Sequence, residues 1–186
     1  ADGAAVIKAM NKLFYLNLSN EEMAALGKEV GADIPFCIYQ KIALVSGVGE
    51  KLEFIHSQLN CHLLLVKPKK GVPTKKSFGM LDLTKAEHPS IIKMKEAIEE
   101  NNFPLVVESL GNTLEAPSID MVEDIKKIKS EMLDLGFAGA LMSGSGSCVF
   151  GLTLDEEILE KGYEYFKNKY NFVRKTRILQ KEVEKY

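Results

Sequence analysis

Residues 143–146, Ser-Gly-Ser-Gly, lie between the apolar runs "GALM" and "CVFGL". A tight hairpin turn would need only Asn-Gly or Asp-Gly, so a bend this wide and this poor in side chains raises a question of purpose. Gly144 and Gly146 admit positive φ and let a ligand approach the backbone, and successive N–H groups in such a bend form a concavity for anions. Ser143 and Ser145 add short hydroxyl donors. That chemistry suits a polyphosphate, and a merely flexible hairpin turn would use the same residues. A second stretch, "GADIPF", puts Asp33 between a helix stop at Gly31 and the rigid Pro35. A carboxylate held there can take the proton of an alcohol attacking a phosphoryl group, or it can close an Asx turn on its own backbone. A third, "KPKKGVPTKKSF", carries five lysines between positions 67 and 76. It can attract a phosphorylated ligand or remain a solvated loop. Within it Thr74 and Phe78 are four apart and share one helical face, a hydroxyl beside a flat ring. The ring can stack on a base, or the pair can be a cap and a core contact.

These residues need elements to hold them. Val6, Met10, Leu13 and Phe14 recur at helical spacing over residues 1–16, and Ser19 with Glu22 forms the capping box of a second helix. Pro35 is expected to push Ile34 out of helical geometry. "KIALVSG" and "EKLEFI" read as strands joined at Gly47–Gly49, and "CHLLLVKP" as a buried strand. A short helix follows near 74–81, then helices near 90–101 and 103–112, and a long one over 118–135. Strands at 138–143 and 147–153 flank the glycine bend. An amphipathic helix capped by Asp155 and a last strand, "FVRKTRIL", complete the chain. Met121, Ile125, Ile128, Met132, Phe166, Tyr170 and Phe172 are expected in the core. From residue 61 the order strand, helices, strand, strand, helix, strand is that of a split βαβ sheet with helices on one face. The two helices and hairpin of residues 1–57 make a poor core of their own.

Composition sets bounds. The 186 residues are 46% hydrophobic and 27% charged with a net charge of −2, an ordinary globular balance with no bias toward nucleic acid or anionic membrane. No apolar run reaches membrane-spanning length, and the first residues lack the pattern of a signal peptide. Cys37, Cys61 and Cys148 are odd in number and far apart, which argues against a disulfide framework or a CxxC site. His56, His62 and His88 lie beside no partner at ligand spacing. A reducing, cytoplasmic compartment is expected, with no metal held by these side chains.

The stretches "ADGAAVIKAMNKLF", "GADIPFCI", "ALVSGVGEKL", "KPKKGVPT", "GNTLEAP" and "GALMSGSGSCVFGL" occur in an order that resembles the galactokinase, homoserine, mevalonate and phosphomevalonate (GHMP) kinase superfamily. The likeness runs over essentially the whole chain. It is strongest to the branch that phosphorylates the 2-hydroxyl of 4-diphosphocytidyl-2-C-methyl-D-erythritol in non-mevalonate isoprenoid and terpenoid precursor synthesis. The resemblance implies an α+β fold. Residues 1–57 would be the C-terminal part of an ATP-binding, ribosomal protein S5 domain 2-like catalytic domain, and 58–186 a ferredoxin-like C-terminal domain. It implies ATP accompanied by Mg²⁺, a small-molecule substrate linked to cytidine diphosphate, and no nucleic-acid or membrane partner. By the same resemblance Asp33 matches the catalytic base, and Ser143, Gly144, Ser145 and Gly146 match a phosphate-side loop. Thr74 and Phe78 match positions beside the substrate's phosphate and cytosine.

Two departures accompany the likeness. The family's main Gly/Ser-rich ATP loop directly precedes the helix that here starts at Ala1, and its catalytic lysine lies on an earlier strand. The expectation is therefore a C-terminal fragment lacking roughly the first third, weak in ATP binding and inactive alone. Two other readings stay open: another kinase of the superfamily, of mevalonate or homoserine type, or a non-catalytic ferredoxin-like ligand-binding module in which Asp33 is a turn residue.

Overall fold

Ser19 Oγ accepts the Glu22 N–H at 3.2 Å while the Glu22 carboxylate accepts the Ser19 N–H at 2.8 Å, so two orphan donors are satisfied reciprocally where α2 (Asn20–Val30) begins. The computed structural model describes residues 1–82, 84, 86 and 88–178. They fall into two compact units, 1–58 and 59–178. Residues 179–186, the end of the second domain expected from the sequence and of its last strand, lie outside the described residues.

In the first unit α1 (Asp2–Leu13), α2 and α3 (Ile34–Tyr39) precede a hairpin of β1 (Ala43–Ser46) and β2 (Lys51–Phe54). Ala4, Met23 and Ile38 form its small buried cluster, with Ile7, Leu18, Ile34 and Cys37 packed against it. Val6, Met10, Leu13 and Phe14, which share the helical spacing, are exposed. The expectation for Ile34 is corrected. It is the first residue of α3, with Pro35 in the opening turn. Proline's missing N–H has no intrahelical partner to lose there, and its fixed φ suits a helix start.

The second unit is built on β3 (His62–Lys67), β4 (Gly139–Met142), β5 (Val149–Thr153) and β6 (Phe172–Arg177). The strand order is β4-β5-β3-β6 with every neighbouring pair antiparallel, the split βαβ connectivity. Between β3 and β4 come α4 (Thr74–Gly79), α5 (Ile91–Glu99), α6 (Phe103–Glu108), α7 (Glu115–Met121) and α8 (Asp124–Asp134). The single long helix expected over 118–135 is instead two, because Val122 leaves helical geometry at φ −140° and ψ 87°. Ile125, Ile128 and Met132 of α8 are fully buried against Leu64, Val66 and Val149 of the sheet.

Asp155 accepts the Glu157 N–H at 2.7 Å and starts α9 (Glu156–Lys167), whose Phe166 is also fully buried. Gly162 lets α9 come close, since a β-carbon there would stand 2.6 Å from Phe137 and 3.0 Å from Leu64. Met121 and Tyr170 pack at the margin of this core. Phe172 does not join it. Val173 is the β6 residue turned inward, and alternation along a strand sends Phe172 to the other face, 39% exposed.

Leu64→Ala should therefore cost about 2–5 kcal/mol of stability, and Phe172→Ala about 1 kcal/mol or less, in urea denaturation. Equal losses would show that the buried face has been misidentified.

Candidate active site

Each piece of the site starts from local sequence. In "GADIPF", Ile34 is the knob that fixes the segment. Its side chain lies in a slot between two glycines: a β-carbon on Gly3 would stand 2.7 Å from Ile34 Cδ1, and one on Gly27 would collide with Ile34 Cγ2. Pro35 is buried beside it. Asp33, immediately before α3, is thereby held at a fixed, exposed point. Its carboxylate makes no cap hydrogen bond, so it is not spent on the local backbone.

In the second unit the bend joining β4 to β5 closes with two internal bonds, Ser143 N–H to Cys148 O at 2.8 Å and Gly146 N–H to Ser143 O at 3.0 Å. Gly144 and Gly146 adopt φ +58° and +92°, as the glycines of this stretch were expected to do. Among the described residues no protein group engages the N–H of Gly144 or Ser145. Two neighbouring donors in a partly exposed, side-chain-poor bend are what an anion requires.

Thr74 and Ser145 meet directly, their hydroxyls 2.8 Å apart. Phe78, four residues on, is exposed on α4. Beneath α4, Ser77 and Ser118 are fully buried with hydroxyls 2.9 Å apart, and Ser118 Oγ lies 3.3 Å from Ser145 O. A carbonyl only accepts, so the single Ser118 proton goes to Ser145 O and Ser77 donates to Ser118. The two hydroxyls form a directed chain ending on the loop. Ser147 Oγ–H donates to Lys70 O at 2.8 Å, and Lys70 Nζ donates to Met121 O at 2.6 Å at the end of α7. The lysine-rich loop thus packs on the glycine bend through its backbone, with Lys70 itself occupied.

Sequence reasoning singled out Asp33, Thr74, Phe78 and residues 143–146. It gave no role to the groups that hold the bend from behind. Asn112 donates to Met142 O and Gly144 O, each at 2.8 Å. Glu115 accepts the Met142 N–H at 2.9 Å and pairs with Lys129. Asn112 and Glu115 belong to "GNTLEAP", whose letters alone do not tell which partner thirty residues away they meet. Burial pushes the Cys61 and Cys148 thiols up, Lys67 drawing the latter partly back, which leaves both poor nucleophiles. Among the described residues no cluster of three acidic, His or Cys side chains could hold a metal ion, and no helix is long and apolar enough to cross a membrane.

Two family models match the chain, one described as GHMP kinases N terminal domain over residues 1–41, the other as GHMP kinases C terminal over residues 94–171. The chain is 40% identical over 179 residues to 4-diphosphocytidyl-2-C-methyl-D-erythritol kinase of Exiguobacterium sibiricum, covering 96% of this chain and 63% of that protein. It is 42% identical over 163 residues to the kinase of the same name from Bacillus subtilis, covering 88% and 56% respectively. It thus spans less than two thirds of either relative. Among solved structures, a crystal structure of 4-(cytidine 5'-diphospho)-2C-methyl-D-erythritol kinase superposes with a TM-score of 0.75 at 26% identity, covering 94% of this chain and 61% of that one. Homoserine kinase from Cytophaga hutchinsonii, at a TM-score of 0.74 and 18% identity over 94% and 61%, shares the fold.

The two loop glycines differ in their surroundings. A β-carbon on Gly144 would meet nothing within 4 Å, whereas one on Gly146 would stand 2.6 Å from Met142 Sδ and 3.1 Å from Val72 Cγ2. Gly144→Ala should cost about 1 kcal/mol, the positive-φ penalty alone, and Gly146→Ala at least about 2 kcal/mol. Thermal denaturation checks the order, and a reversed order would mean the bend is packed differently.

Proposed function

Because the chain belongs to the GHMP kinase family, we propose that it serves ATP-dependent phosphorylation of the 2-hydroxyl of 4-diphosphocytidyl-2-C-methyl-D-erythritol, a cytoplasmic step of non-mevalonate isoprenoid precursor synthesis. The observation that carries this reading is the 40% identity across 96% of the chain to a kinase named for that substrate. The partly exposed bend with two unused backbone donors supports it from the side of chemistry. Within this reading residues 1–57 belong to the ATP-binding and catalytic domain, and the C-terminal domain begins at residue 58.

In the proposed step the acceptor oxygen attacks the γ-phosphorus of ATP. Its O–P bond forms as the bond from γ-phosphorus to the β,γ-bridging oxygen breaks, and ADP leaves. Asp33 takes the hydroxyl proton. The Gly144 and Ser145 N–H groups, with the Ser143 and Ser145 hydroxyls, bind phosphate oxygens where charge accumulates. Glycine at 144, around which a β-carbon would meet nothing within 4 Å, keeps a side chain out of the space that the triphosphate and the alcohol share. Thr74 reaches the acceptor's phosphate, and Phe78 offers its ring to the cytosine. Mg²⁺ would enter with ATP as part of the substrate. The described residues supply no three-ligand cluster to hold it, so no step is assigned to it.

Asp33→Asn in the complete gene product tests the base. The expected result is a kcat lower by about 10²–10⁴-fold with nearly unchanged ATP affinity, in a coupled assay for ADP release. Wild-type turnover would remove Asp33 from the mechanism. Faster turnover of homoserine or mevalonate than of the cytidyl alcohol would overturn the proposed acceptor.

A further inference from the structure

The bend's chemistry depends on which way its peptide planes face, and one side chain sets that. Asn112 uses both amide protons, on Met142 O and Gly144 O, while its Oδ1 accepts the Leu114 N–H at 3.0 Å. With an N–H on one side and two carbonyls on the other, only one assignment of its oxygen and nitrogen satisfies all three bonds. The Gly144–Ser145 peptide is trans. In a trans peptide the C=O and the following N–H point in opposite directions. Drawing Gly144 O back onto Asn112 therefore turns the Ser145 N–H outward, away from the protein groups behind the bend. Gly144, at φ +58° and with open space around it, has no side chain to enforce this plane itself.

We propose that Asn112 is a positioning residue for the phosphate-side loop. It touches neither nucleotide nor acceptor, and it acts by fixing the Gly144–Ser145 peptide with its N–H presented to a phosphate oxygen. The proposal rests on the reading of residues 143–146 as a phosphate-binding bend. Glu115 strengthens the arrangement from the same segment by accepting the Met142 N–H, so the backbone on both sides of Met142 is held.

Asn112→Asp in the complete gene product is the test. It keeps the side-chain volume and the acceptor for Leu114 N–H, but replaces a double donor by an oxygen that repels two carbonyls. The kcat/KM for ATP should fall about 10–100-fold at pH 8, because a displaced donor forfeits positioning. Among the described residues of this unit, the charged groups lining the cavity that Asn112 shares are Asp82, Glu115 and Asp120, with Lys129 paired to Glu115. The two carbonyl oxygens in direct contact, with Asp82 and Asp120 nearby, raise the new carboxyl's pKa and outweigh the one Leu114 N–H that lowers it, Glu115 being paired with Lys129. Once protonated it donates one of the two lost bonds, so the deficit relative to wild type should narrow below about pH 6. Asn112→Ala has no proton to regain and should show a deficit that does not narrow.

An Asn112→Asp variant that is folded by circular dichroism and matches wild type, or whose deficit is the same at both pH values, overturns the proposal. Should that variant not fold, the wild type decides. Its Asn112 side-chain amide protons should be protected from exchange by NMR and should shift on adding a non-hydrolysable ATP analogue, and unprotected or unmoved signals refute the role. A wild type that neither binds nor turns over ATP defeats the phosphate-loop reading and this proposal together. An active wild type beside an equally active variant defeats this proposal alone.

Discussion

A bend of glycine and serine has almost nothing with which to hold its own shape, so the hydrogen bonds from Asn112 to the carbonyls of Met142 and Gly144 are the constraint on which the site depends. Ordering a residue costs about 1–2 kcal/mol of backbone entropy, and glycine lies at the upper end. The two bonds internal to the bend return about 1 kcal/mol each at best. The rest comes from outside: Asn112, the Ser118 hydroxyl, the Thr74 hydroxyl and the carbonyl of Lys70. Thr74 and Ser118 sit on α4 and α7, and Asn112 and Lys70 on segments next to these helices, so the loop inherits its order from the rest of the second unit.

That inheritance explains the helical layout. α8 spends its apolar face on the sheet, with Ile125, Ile128 and Met132 fully buried. A helix continuous from 118 to 135 would make one element serve both the sheet and the end of β4. Breaking at Val122 separates the tasks: α7 and the turn before it attend to Met142 and the bend, while α8 covers the core. The Glu115–Lys129 pair ties the two helices together with both side chains largely buried, where charge pairing is less screened than at a surface.

Local rules carried the sequence a long way. Ser19 with Glu22, Asp155 before α9, the apolar run of β3 and the order of elements after residue 61 all depend on neighbours a few positions apart, and all appear in the structure. The misses have one physical cause, which is that local preference yields to packing. The bias of a residue before proline against helix gave way at Ile34, whose side chain is needed in the slot between α1 and α2. The apolar periodicity across 118–135 hid the break at Val122, and the aromatic character of Phe172 concealed which face of β6 is inside. The wide bend stood out by its composition. The groups that shape it did not, because Asn112 meets Gly144 thirty-two residues away and Ser77 meets Ser118 across forty-one.

The Ile34 slot also bears on how this protein can be altered. Three positions far apart in the chain, 3, 27 and 34, share one small volume that already holds a full isoleucine side chain. A methyl at 27 meets Ile34 at Cγ2 and Cβ and displaces the root of that side chain, whereas one at 3 meets chiefly the terminal Cδ1, which can turn aside. Bulk gained at 27 is best accommodated by bulk surrendered at 34. A library that randomises one position at a time would record position 27 as closed to larger residues, although the paired exchange of alanine at 27 with valine at 34 makes room for both.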